Sequence, residues 1–171
     1  MIPREGEEYQ ALRATIRERG TARIWIFVVG LAVWAMLTVA MTSVGVIPMT
    51  ALVTLLVLAA TFEAVFALHV GAERIGRYLQ VFMEDRWEAT AMAFGPPMAG
   101  TSSDPLFVLC FGLATFLNFG AVLTASPVPV ELAVIGSGHA LFLMRLLYAR
   151  HAAGRQRAAD LERYTFLHSR R

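Results

Sequence analysis

The sequence has no lysine, and all fifteen of its strongly basic residues are arginine. GC-rich bacterial coding accounts for that without any chosen preference for guanidinium. It has a single cysteine, Cys110, so no internal disulfide can form. Cys110 lies in an apolar run and reads as a packed thiol. Charge is scarce. Only 16% of residues are Asp, Glu, Lys or Arg, where soluble domains carry about 25%. No such residue occurs between Ile24 and Phe62, and none between Pro105 and Val130. A phosphate-cradling glycine loop, a Cys/His metal spacing, a nucleophile elbow and a redox pair are all missing. These absences remove the enzyme classes that leave local signatures, and neither metal nor cofactor is expected. The net charge of +2 is too small to imply a nucleic-acid partner.

What is present is apolar surface. The 171 residues suffice for one domain, and 57% of them are hydrophobic, which points to the lipid bilayer as solvent. A helix needs about 20 apolar residues to cross the hydrocarbon, so the run from Ile24 to Phe62 holds two spans. Gly45 and Pro48 mark the turn between them. The second charge-free run holds a third span, opened by Asp104 and Pro105. A fourth comes after the turn at Pro127 and Pro129, with Glu131 near its start. The expected fold is therefore all-α, an integral membrane protein with spans over about 23–44, 48–70, 105–125 and 130–149. They form two hairpins that each pass in, out and in again. The apolar run behind the charged N-terminal segment is too long for a cleavable leader, so the first span reads as a retained anchor.

Three amphipathic helices are expected outside the membrane, over about 7–19, 73–92 and 155–167. Gly20 is expected to stop the first, and Thr21 to cap the first span behind it. In the second, Ile75, Tyr78, Leu79 and Phe82 form one stripe. Its charges, with Glu73 and Arg77 at i,i+4, read as a solvated face. FGPPMAGTSSDP reads as the loop joining the two halves. An offset of 82 residues aligns Gly30 with Gly112, Glu63 with Arg145 and His69 with His151. Two helical hairpins produce such coincidences by chance.

Ionisable groups within spans are costly and turn inward, so Glu63, Arg145, Asn118 and His139 are the intramembrane candidates. Glu63 lies fifteen residues past Pro48 and Arg145 fifteen past Val130, so at about 1.5 Å per residue both reach one depth. They are expected to pair in the bundle interior. Asn118 and His139 share a second level, nearer the outer surface, and are expected to hydrogen-bond. At the cytoplasmic interface the candidates are His69, Glu73, Arg74, Arg77 and His151. His69 and His139 differ by about 18 Å in depth, which excludes a shared haem. The functional expectation is a non-enzymatic scaffold or accessory subunit of a bacterial inner-membrane complex, with a membrane-protein partner or self-association. The alternative is an oligomeric transporter or pore lined by the four intramembrane residues.

Arginines precede the first span, lie between the second and third, and come after the fourth, while both tight turns have none. The positive-inside rule then puts both termini in the cytoplasm. A topology reporter fused after Arg171 is expected to be active only as a cytoplasmic fusion, and one inserted at Val46 or Val128 only as a periplasmic one. A periplasmic C-terminus would require an odd number of spans and would sink this arrangement.

Overall fold

The computed structural model describes residues 3–45, 47–83, 85–87, 89–90 and 105–170. Helices account for nearly all of them, and no strand occurs among the described residues. Helix α1 runs Pro3–Val44, α2 runs Ala51–Phe82 behind a short 3-10 turn at Pro48–Thr50, α3 runs Pro105–Leu123, and α4 runs Pro129–His168. Three of these helices are long and apolar enough to cross a membrane. The apolar part of α3 described here, Val108–Leu123, is shorter. Such helices suit lipid because every mid-helix N–H and C=O is satisfied within the segment. At 1.5 Å per residue, the 42 residues of α1 would reach about twice the hydrocarbon thickness.

Several boundaries differ from the sequence expectation. Helix α1 continues through Gly20 and Thr21. One glycine costs only about 1 kcal/mol relative to alanine inside a helix, and the Thr21 hydroxyl donates back to the Arg17 carbonyl instead of capping. Helix α4 likewise passes through Gly154, so no separate C-terminal helix exists. Helix α2 stops at Phe82 rather than near residue 92. There the N–H groups of Met83 and Asp85 both close on the Leu79 carbonyl, a tightened C-terminal turn. The expected loop over residues 94–104, with its Asp104 cap, lies outside the described residues. Gly45 ends α1 with φ of +115°, a conformation that glycine adopts at little cost. The Glu131 carboxylate accepts from the Val128 N–H at 3.0 Å, so this acid caps the start of α4.

The chain divides into two compact units. The apolar unit comprises Trp25–Val65 and Asp104–Ala149, and the charged unit comprises Met1–Ile24, Phe66–Ser103 and Arg150–Arg171. The apolar unit is a helix bundle. At its centre Phe62 of α2 meets Phe111 of α3 and Phe142 of α4 edge to face, and Phe27 of α1 adds a third edge to Phe111. Leu58, Phe111 and Ile135 are fully enclosed there. Gly138 lets α4 approach α2, since a Cβ at that position would lie 3.2 Å from Leu52. Gly30 does the same for α1 against Thr61, whereas Gly112, its counterpart at the 82-residue offset, has no such neighbour. The apolar stretch of α1 has no buried residue.

In the charged unit the stripe on α2 is covered by α4. Leu79 is fully buried. Tyr78 stacks on Phe82, both rings meet Tyr164 edge to face, and His168 closes on Phe82.

The contact at Gly30 yields a test. A Cβ there would stand 2.8 Å from the Thr61 Cβ, too close for a rotamer change to relieve. Gly30→Ala is expected to lower Tm by an overpacking cost of about 1–3 kcal/mol, and Thr61→Gly in the same chain should restore part of it. Equal melting of Gly30→Ala and the parent in detergent would show that α1 is not seated on α2.

Candidate functional site

Two polar assemblies stand out, one in each unit. In the apolar unit the centre is Asn118 of α3. Its amide Nδ2 donates to the Ala51 carbonyl at 2.9 Å and faces His139 Nε2 at 3.0 Å. Its Oδ1 accepts from the Thr54 hydroxyl at 2.6 Å and the Trp34 indole at 3.4 Å. All four bonding capacities of the amide are thus used. His139 Nδ1 lies 2.8 Å from the Ile135 carbonyl, which can only accept. The proton therefore sits on Nδ1, and Nε2 accepts from Asn118. Phe119 packs on the same ring. Thr54, Asn118 and His139 are all buried. The assembly ties four helices together and leaves no free valence for a ligand. Trp34 and Thr54 carry no such signal in the sequence. An indole or threonine in an apolar run reads as packing until a partner at its level is known.

Glu63 and Arg145 do meet, in a two-pronged fork. Arg145 Nε donates to Glu63 Oε1 at 2.7 Å, and Nη2 to Oε2 at 2.8 Å. The guanidinium also lies over the Phe62 ring, 5.7 Å from its centroid. The expectation that this pair occupies the bundle interior is corrected, because the side chains are 49% and 35% exposed. On α2 the buried face is Thr54, Leu55, Leu58, Phe62 and Val65. Glu63 falls on the opposite stripe with Val53, Leu56 and Ala60. The four intramembrane candidates therefore make two separate sites. Nine residues of α2 separate Thr54 from Glu63, about 13 Å, and the aromatic layer of Phe62, Phe111 and Phe142 lies between.

The second assembly surrounds Arg77, which is fully buried in the charged unit. This corrects the expectation of a solvated face. Arg77 Nη2 donates to Asp160 Oδ2 at 2.9 Å, and Nη1 to Glu73 Oε2 at 3.5 Å. Arg74 reaches the same Asp160 oxygen at 3.2 Å, and Gln156 holds Oδ1 at 3.1 Å. Arg157 pairs with Glu73 Oε1. His69 Nε2 stands 3.7 Å from that oxygen, while Nδ1 lies 2.8 Å from Arg23 Nη1. An arginine can only donate, so Nδ1 accepts and Nε2 carries the proton toward Glu73. Of the interface candidates, His69, Glu73, Arg74 and Arg77 belong to this network, whereas His151 is exposed and is not among these contacts. Asp160 and Arg157 escape sequence reasoning, because they lie more than eighty residues from the groups they pair with.

A third contact closes the unit around Asp85. Its Oδ2 accepts from Arg13 at 2.5 Å and from the Tyr9 hydroxyl at 3.1 Å, and its Oδ1 caps the Trp87 N–H at 2.9 Å. Burial by itself would raise this carboxyl. The bonds from Tyr9 and Trp87 and the charge of Arg13 outweigh it and hold the group below the usual aspartate range. Asp160 is governed the same way. Burial pushes it up, but the bonds from Arg77 and Arg74 bring it below its ordinary value.

Among the described residues no three His, Cys, Asp or Glu side chains gather as metal ligands. Known protein families, curated proteins and solved structures contain no match to this chain.

The two aspartates make the charged unit acid-sensitive. Each binds its proton more weakly folded than unfolded, where the value is about 3.9. Their stabilisation is complete above about pH 5 and is lost as pH falls through the unfolded value toward the folded one. The protection of amides in α2 from Glu73 to Phe82, taken relative to their intrinsic exchange rate at each pH, is therefore expected to fall below about pH 4. Asp160→Asn should be less stable at neutral pH, with a flatter acid profile. An unchanged profile in that variant would show that Asp160 does not govern the acid response.

Proposed function

We propose that the chain is a four-span protein of the bacterial inner membrane with both termini cytoplasmic. It acts as a non-enzymatic scaffold or accessory subunit that holds another membrane helix against α2 and α4. The observation that carries this reading is the outward-facing fork of Glu63 and Arg145. Both residues flank apolar sequence of membrane-spanning length, and a charged pair turned to hydrocarbon is expensive. A polar partner helix removes that cost. Ala60, one turn before Glu63 on the same exposed stripe, leaves room for the close approach that helix pairs use in lipid.

The saturated Asn118 cluster and the aromatic layer beside Glu63 count against a polar path through one copy of the chain. The four candidates of the transport reading do not share a lumen in the apolar unit. A scaffold needs only the outer surface, and that is where the fork lies.

The test is photo-cross-linking in native membranes. A benzophenone amino acid at position 60 is expected to yield a defined adduct, and one at position 58, on the buried face, none. The adduct's mass separates a second copy from a different subunit. Glu63→Gln with Arg145→Met should abolish the adduct while leaving the monomer's Tm in detergent close to that of the parent. If position 60 gives no adduct and the protein is monomeric in mild detergent, the scaffold reading fails.

A further inference from the structure

The charged unit gathers five arginines within about two turns of α2. Between His69 and Arg77 the guanidiniums of Arg19, Arg23, Arg74, Arg77 and Arg157 gather around the carboxylates of Glu73 and Asp160. Both carboxylates are already engaged. Glu73 serves Arg77, Arg157 and His69, while Asp160 serves Arg74, Arg77 and Gln156. Arg19 has no acidic partner among the described residues, yet it is half-buried. Its Nη1 lies directly on Gly71, with Cζ 3.4 Å from where a Cβ would stand. Only a residue without a side chain admits the guanidinium there. Arg23 comes one turn after Arg19 on α1, on the same face, and turns to His69. The two arginines thus face α2 side by side, with Arg157 on the far side of His69 and Glu73.

We propose that Arg19 and Arg23, packed on Gly71 and His69 and backed by Arg157, form a phosphate-binding site whose occupant is the headgroup of an anionic phospholipid. Clustered guanidiniums present a planar fork that suits phosphate oxygens, and basic pockets between helices at the cytoplasmic surface take anionic headgroups. The depth agrees, because Arg23 immediately precedes the charge-free run that begins at Ile24. That agreement in depth rests on the membrane embedding proposed above. The ligand chemistry does not, and the reporter fusions test the embedding separately.

The experiment measures Tm of the purified protein in a neutral detergent. Additions are phosphatidylglycerol, phosphatidylcholine of the same chains, or millimolar inorganic phosphate against chloride at equal ionic strength. Phosphatidylglycerol is expected to raise Tm by several degrees and phosphatidylcholine to leave it unchanged. Arg19→Gln breaks no ion pair seen in the structure and should abolish the shift. Gly71→Leu, which displaces the guanidinium, should do the same, and Arg163→Gln on the exposed face of α4 should retain it. A shift with inorganic phosphate alone that Arg19→Gln removes supports the site and makes a soluble phosphate its occupant. Equal shifts with both lipids, no shift with any addition, or a phosphatidylglycerol shift that survives Arg19→Gln overturns the proposal.

Discussion

A buried amide must satisfy two donors and two acceptor sites, and Asn118 does so with four different residues. In a water-free interior each unmet group would cost several kcal/mol, so the partners of Asn118 are held to a narrow geometry. Thr54, Trp34, His139 and the Ala51 carbonyl can reach it together in one arrangement of the helices. Apolar packing alone tolerates small slides of one helix along another. The aromatic layer fills the volume, while the amide determines the register. The same need for satisfaction explains why His139 is seated against its own Ile135 carbonyl, which fixes the tautomer that Asn118 requires.

In the charged unit ions supply the partners, although the Arg77 Nε itself is buried without one among the described residues. Arg77 is taken out of solvent entirely, and Asp160 and Glu73 hold it on two sides. A buried ion pair adds little stability over well-packed apolar residues, but removing one partner strands the other at about 3–5 kcal/mol. Such a network specifies which face of α4 meets which face of α2. Asp160 from α4 and Glu73 from α2 are each shared between arginines, so the helices are clamped by several bonds. Asp85 performs the corresponding service for the N-terminal part of α1, through Tyr9 and Arg13.

The proposed contacts lie where charged groups reach the surface of each unit. The Glu63–Arg145 fork is internally paired yet turned outward, and a second helix would complete its enclosure. Arg19 has no carboxylate partner among the described residues, and a phosphate would supply the missing anion. The apolar stretch of α1, with no residue buried by the chain itself, is a surface suited to lipid.

Much of the architecture is legible in the sequence, because its causes are local. Long charge-free runs form helices in lipid, Gly45 and Pro48 make a turn, and Glu131 sits where a helix begins. A fixed rise per residue also sets Asn118 level with His139, and Glu63 level with Arg145, and both pairs are in contact. Rotation about a helix axis is not legible. A segment apolar on all sides has no polar stripe to say which face turns inward, so depth alone implies an interior Glu63 where packing turns it outward. Arg77 reads as solvated from its own helix and is enclosed, since its partner Asp160, more than eighty residues away, is brought to it by folding. The extent of the helices is decided in the same way. Gly20 and Gly154 carry only a weak local penalty that the surrounding helix overrides. Helix α2 ends at Phe82, and just beyond that end Asp85 is held by Tyr9 and Arg13, some seventy residues away. The sequence by itself determined which segments are helical and which of their polar groups share a level, because both depend on local composition and a fixed rise. Only packing between distant helices decided which way each group points, because that choice depends on partners the local sequence does not contain.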